Sequence, residues 1–231
     1  MSLEKLINAT EKIGSNILEY IKSVEKLVDR TTEKIGSNTL EYAFDDPLSK
    51  GISFIGNLPY KLILLSKDVG NYPRENTQKY ISEYIADEKL ENVTVRIGHN
   101  RVVKDTIRLF KDEKLKDISL LGKIFLGIPS TILGGIYSKF TRADYYNPFT
   151  RTAVIYSDVP AIAVHELAHA KDYQDIGAPT LYSLFRSTGI GALYQEARAS
   201  LMAHKYLKGK ERTGRYLIPA FLTHAFNFLL G

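Results

Sequence analysis

The segment His165-Glu166-Leu167-Ala168-His169 does more than any other to limit what this 231-residue chain can become. Two histidines four apart lie on one face of a helix, so both imidazoles can reach a single ion. Glu166 stands beside the first of them, where a carboxylate can take a proton from a metal-bound water. The flanking residues predict the scaffold this requires. Thr152-Ala153-Val154-Ile155-Tyr156 is β-branched and aromatic and reads as a short strand. Ser157-Asp158-Val159-Pro160 offers capping residues and a proline for the first helical turn. Alanines and Leu167 favour helix from Pro160 to Asp175, and Gly177 with Pro179 ends it. The strand is also expected to offer a free edge to an extended peptide.

A catalytic zinc usually keeps three protein ligands and a water, so the histidine pair needs a third partner. Four acidic residues compete. Asp172 projects from the same face as both histidines, but three groups in line on a straight helix cannot converge on one ion. It is better placed to accept a hydrogen bond from the ring of His169 and so orient it. Asp175 points well away if the helix continues, and Asp158 reads as the helix cap. Glu196 ranks first, near the start of a second helical run that ends around Lys208-Gly209. Gly177-Ala178-Pro179 and Thr188-Gly189-Ile190-Gly191 leave room for the chain to reverse. Ala197, Ala199 and Ala203 then permit the two helices to approach closely. Glu196 also suits the N-terminal end of a helix dipole, so a purely local role competes with ligation.

His165, Glu166 and His169, followed by Glu196 on a downstream helix, resemble the gluzincin class of zinc metallopeptidases. The resemblance covers roughly residues 150–208. It implies a zincin-like α+β fold, Zn2+ held by His165, His169 and Glu196, and hydrolysis of peptide bonds in a peptide or protein substrate with Glu166 as general base. Thermolysin-like members place an aspartate four residues after the liganding glutamate, to orient one histidine. This chain has Ser200 there, so either Ser200 or Asp172 is expected to supply that bond. Candidates for a donor to the developing oxyanion are His204, His224, Tyr173, Tyr194 and the Tyr145-Tyr146 pair. His99 reads as a turn residue.

The rest of the chain bounds this reading. Cysteine is absent, which excludes disulfides and thiolate metal sites. The N-terminus carries no apolar core of a signal peptide, so a cytoplasmic setting is the default, with membrane association left open. A net charge of +5 suits an anionic surface, but no nucleic-acid motif accompanies it, and no nucleic-acid partner is expected. Asn76 to Lys89 reads as helix, Asn92 to Ile97 as an alternating strand, and Val102 to Phe110 as a strand or helix start. Few, short strands predict a small mixed sheet flanked by helices, an α+β chain rich in helix.

Residues 1–45 are expected to form a separate extension, with the peptidase domain over 46–231. Thr10 to Tyr20 recurs as Thr32 to Tyr42 with ten of eleven residues identical, at an offset of 22. That offset is close to six helical turns, and apolar residues from Leu3 to Ile35 recur at steps near three and four. An amphipathic helix or helix pair is predicted, weakened by Gly14 and Gly36. It could pack on its own domain, form a homo-oligomeric coil, lie on a membrane surface, or act as a removable inhibitory segment. A second apolar stretch, Ile118 to Tyr137, reads as a buried core helix or a loop over the active site, with entry into a membrane interface as the alternative. A non-catalytic membrane-surface or scaffolding protein with a structural zinc is the competing functional class.

Overall fold

Alternation along one short strand sets the layers of this protein. The computed structural model describes residues 32–42, 74–141, 143–210, 217, 218 and 221. The chain divides into two compact units, Met1–Glu33 and Lys34–Gly231. Strand β3, Thr94–Ile97, is buried on both sides. Val95 and Ile97 join an apolar core with Leu40, Ala153, Ile155 and residues of three helices. Thr94 and Arg96 face the other way, where Arg96 meets Asp105 of helix α2, Val102–Lys111.

The sheet runs in the order β1-β2-β3-β5-β4, with β1 Thr32–Ile35, β2 Asn38–Tyr42, β4 Tyr145–Asn147 and β5 Thr152–Ile155. Strands β2, β3 and β5 are parallel, and β4 returns antiparallel to β5. Strand β5 therefore lies inside the sheet, so the free edge expected of it belongs instead to β4 among the described residues. Helix α1, Arg74–Asp87, connects toward β3 and packs Ile81, Tyr84 and Ile85 into the core. Three helices follow β5: α4 Pro160–Ile176, α5 Pro179–Ser187 and α6 Gly189–Leu207. The result is a helix-rich α+β arrangement around a small mixed sheet.

The second copy of the repeat is a hairpin and not a helix, which corrects the helical extension over residues 32–42. Gly36 takes a φ of 59° in the two-residue turn Gly36-Ser37, a conformation that costs glycine nothing. Thr32, Ile35 and Thr39 are β-branched, which suits the flanking strands. Asn38 then clamps the hairpin to the sheet. Its amide donates to Leu90 O at 2.7 Å and accepts from Val93 N at 2.9 Å. The first copy, residues 10–20, and the apolar positions before it lie outside the described residues.

The apolar stretch after Ile118 is helical throughout: Leu120–Gly122, a π-helical turn at Lys123–Gly127, and α3 at Ile128–Thr141. Pro129 has no N–H to give to the carbonyl four residues back, and the Ile128 amide reaches Lys123 O instead, which widens the turn. Only 22% of the run Leu120–Lys139 is buried, so neither a buried core helix nor a loop describes it. By length and composition it is the one helix among the described residues apolar enough to cross a membrane.

Candidate metal centre

Helix α4 carries His165, Glu166 and His169, all three buried, in its second and third turns. Pro160 stands at the first helical position and Gly177 closes the helix with a φ of 67°, as the sequence predicts. The N-cap is Val159, with no side-chain cap, so neither Ser157 nor Asp158 plays the capping role assigned to it. Asp144 does the work at this junction: its carboxylate accepts from the amides of Tyr156 and Ser157 as the chain leaves β5.

Helix α6 packs beside α4 through Ala199 and Ala203, both fully buried, while Ala197 faces solvent. Thr188 caps α6, so Glu196 lies two turns into the helix rather than at its dipolar end. That removes the local reading of Glu196. Its Oε2 lies 3.1 Å from His165 Nε2 and its Oε1 lies 3.3 Å from His169 Nε2. One ligand atom from each of the three residues falls within 4.8 Å of the others. Ligand bonds of about 2.0–2.1 Å around a tetrahedral ion put neighbouring donors about 3.3 Å apart. The two nitrogen–oxygen separations, each to a different oxygen of Glu196, are close to that edge, so the three residues could hold a small divalent cation.

The outer nitrogens are also engaged. Ser200 Oγ is 3.3 Å from His165 Nδ1, and the Tyr182 hydroxyl is 3.3 Å from His169 Nδ1. Where Nδ1 carries the proton, a ring donates outward and turns a lone pair inward on Nε2; where Nε2 carries it, the ring donates to Glu196. Arg186 donates to Glu196 Oε1 at 2.5 Å, and Gln195 donates to the Tyr182 carbonyl at 3.0 Å. Tyr182 and Arg186 are one turn apart on α5, which thereby supports the centre from outside. Gly191 lets α5 and α6 meet this closely. A Cβ there would fall 1.8 Å from Phe185 O.

Electrostatics favour ligation. Burial pushes the His169 imidazole down to about 4, against the pull of Glu196, so it is neutral at pH 7. Neutral imidazole is the form that binds metal. Burial disfavours the Glu196 carboxylate, but His169, the imidazole hydrogen bonds and Arg186 outweigh it and hold the group ionised. Burial, then the nearby Glu196 and Asp144, raise Glu166 well above the usual carboxylate range, while the Tyr146 amide of β4 hydrogen-bonds it. Asp144 is itself pushed up to about 7, chiefly by burial.

Asp172 is a correction. It is fully buried on α4 but pairs with Arg198 of α6, and the group at His169 Nδ1 is Tyr182. Asp175 pairs with Lys171 at the surface. Of the donor candidates, His204 and Tyr194 are exposed, Tyr145 lies near Asn100, and His224 is outside the described residues. Tyr173 hydrogen-bonds Arg151. The Tyr146 hydroxyl is buried with no hydrogen-bond partner among the described residues, and beside Tyr173 it borders a cavity of about 150 Å³. His99 follows the bend at Gly98, its Nδ1 3.2 Å from Ile97 O and its Nε2 3.5 Å from the buried Glu41, so it does more than form a turn.

Sequence reasoning missed Tyr182, Arg186 and Asp144. The first two carried a readable sign: two polar residues four apart among Leu181, Leu184 and Phe185, the same spacing as the histidines. Asp144 carried none, because its partners are backbone amides brought near by strand pairing. No family model, curated protein or solved structure matches this chain, so the functional reading rests on the geometry of the site.

Proposed function

We propose that this chain is a zinc-dependent peptidase of gluzincin type. The observation that supports it is the meeting of His165, His169 and Glu196, with one ligand atom of each within 4.8 Å of the others and the buried Glu166 next to them. Zn2+ bound there lowers the pKa of its water toward neutrality and polarises a scissile carbonyl. The two imidazoles and the Glu196 carboxylate would hold the ion, with Ser200 and Tyr182 beside the outer ring nitrogens and Arg186 bound to the carboxylate. Glu166 accepts the proton from the attacking water and returns it to the leaving amine. The Tyr146 amide hydrogen-bonds its carboxyl.

Metal analysis of the purified chain tests the reading, together with assays on a broad peptide library. About one zinc per chain is expected, lost on His169→Ala. Glu166→Gln should keep the zinc and lose hydrolysis. A zinc-replete chain without stoichiometric metal refutes the proposal. Equal hydrolysis by wild type and Glu166→Gln refutes the mechanism.

A further inference from the structure

Helix α3 is turned inside out for a helix of a water-soluble domain. The buried face of α3 and the π-helical turn that precedes it is small or hydroxylic: Gly127, Thr131, Gly135 and Ser138. A Cβ at Gly135 would meet Val102 of α2 at 2.5 Å, and one at Gly127 would meet Leu109 at 3.3 Å. The large apolar side chains point outward, with Phe125 70% and Leu133 68% exposed. A helix facing water does the reverse and buries its large residues. Small residues against protein and large ones away from it is the arrangement that lipid favours.

The face continues beyond α3. Gly122, in the short helix that leads toward α3, lies against Thr180 at the start of α5. Leu181 and Leu184 of α5 are 66% and 48% exposed. No charge interrupts Ile124 to Ser138, while Lys116, Lys123 and Lys139 stand at its margins in a chain of net charge +5. An apolar face bordered by lysines complements an anionic membrane surface.

We propose that the outer faces of α3 and α5 form one surface that seats on an anionic lipid bilayer. The run lies in the interface rather than across the membrane. Along its inner side it packs on α2 and on β4, where Tyr145 faces Gly134, and unpaired strand backbone does not sit in hydrocarbon. A helix of this length, about 30 Å, lies flat with its apolar side buried among the acyl chains.

Sedimentation of the full chain with phosphatidylcholine vesicles, with and without phosphatidylglycerol, tests this. The wild type should bind the anionic vesicles, and the exposed-site double variant Phe125→Glu/Leu133→Glu should bind at least about tenfold more weakly with an unchanged thermal midpoint. Lys123→Gln/Lys139→Gln should lose roughly fivefold per lysine on anionic vesicles and nothing on neutral ones. Absence of binding by the wild type overturns the proposal, as does equal binding by the glutamate variant. A wild-type dimer that the glutamate variant renders monomeric, with no vesicle binding by either, assigns the face to a second copy and overturns it too.

Discussion

The buried cluster around Arg96 and the buried cluster around Glu196 both take carboxylates out of water, and they balance that charge by different means. Arg96 is fully buried between Glu41 at 3.0 Å and both oxygens of Asp105, at 2.5 and 2.8 Å. Lys104 and Arg101 add to the positive side of Glu41. These cations are permanent, so that cluster is complete with the groups the chain supplies. Around Glu196 one permanent cation, Arg186, is joined by two imidazoles, and burial holds that of His169 neutral. Glu166 and Asp144 add further carboxyl groups close by. Two imidazole nitrogens facing a carboxylate could hold a cation together with it, whereas the partners gathered around Arg96 are already permanent charges, and under the proposed function this asymmetry separates the two clusters.

The contrast breaks most visibly through Glu166→Gln. General-base catalysis is worth about 10²–10⁴ in rate, so kcat should fall at least that far while zinc content stays near that of wild type. Arg96→Ala should do the opposite. Removing one member of a buried ion network costs about 3–5 kcal/mol, read by urea unfolding, while the folded fraction keeps its metal. Zinc lost from Arg96→Ala in proportion greater than its unfolding would erase the distinction between the clusters.

Acid sharpens it further. Burial opposes the charge on Glu41, but His99, Arg96, Lys104 and Arg101 prevail and depress its pKa below the ordinary value. A depressed carboxyl contributes stability above its unfolded pKa, near 4.3, and loses it as pH falls toward the folded value. Glu41→Gln should therefore be less stable than wild type by about 2 kcal/mol at pH 7. The gap should narrow on titration from pH 5 to pH 3. A gap that stays constant over that range would mean Glu41 acts by shape and not by charge.

How much of this could be read from residues alone differs between the two sides of the sheet. Helix α4 was legible because Pro160, Gly177 and the four-residue histidine spacing agree with one another. Glu196 was legible because a carboxylate had to come from elsewhere and the downstream helix offered one. The hairpin at 32–42 was misread because the offset of 22, close to six helical turns, extended the helix over the second copy, although Gly36-Ser37 marks a tight turn between β-branched runs. The stretch after Ile118 was misread for a different reason. Hydrophobicity states that a helix avoids water but not which of its faces meets protein, and that follows from where the glycines find Val102 and Leu109. Helix α5 was passed over as slack for the reversal, although its Tyr182 and Arg186 contact His169 and Glu196 from outside.

The smallest expected effect falls on α5 and asks whether that helix belongs to the centre or merely lies beside it. The Tyr182 hydroxyl is the only group described at His169 Nδ1, whereas Asp172, the sequence-based choice, is occupied by Arg198. An acceptor at Nδ1 keeps the proton on that nitrogen and the lone pair on Nε2. Tyr182→Phe retains the ring, its packing against Tyr173 and the helix, and removes only that oxygen. Zinc affinity measured against a competing chelator should fall about tenfold, equivalent to about 1.4 kcal/mol, with the thermal midpoint of the metal-free protein little changed. Asp172→Asn should leave affinity within about twofold. The reverse ranking would return the orienting role to Asp172 and reduce α5 to a packing element.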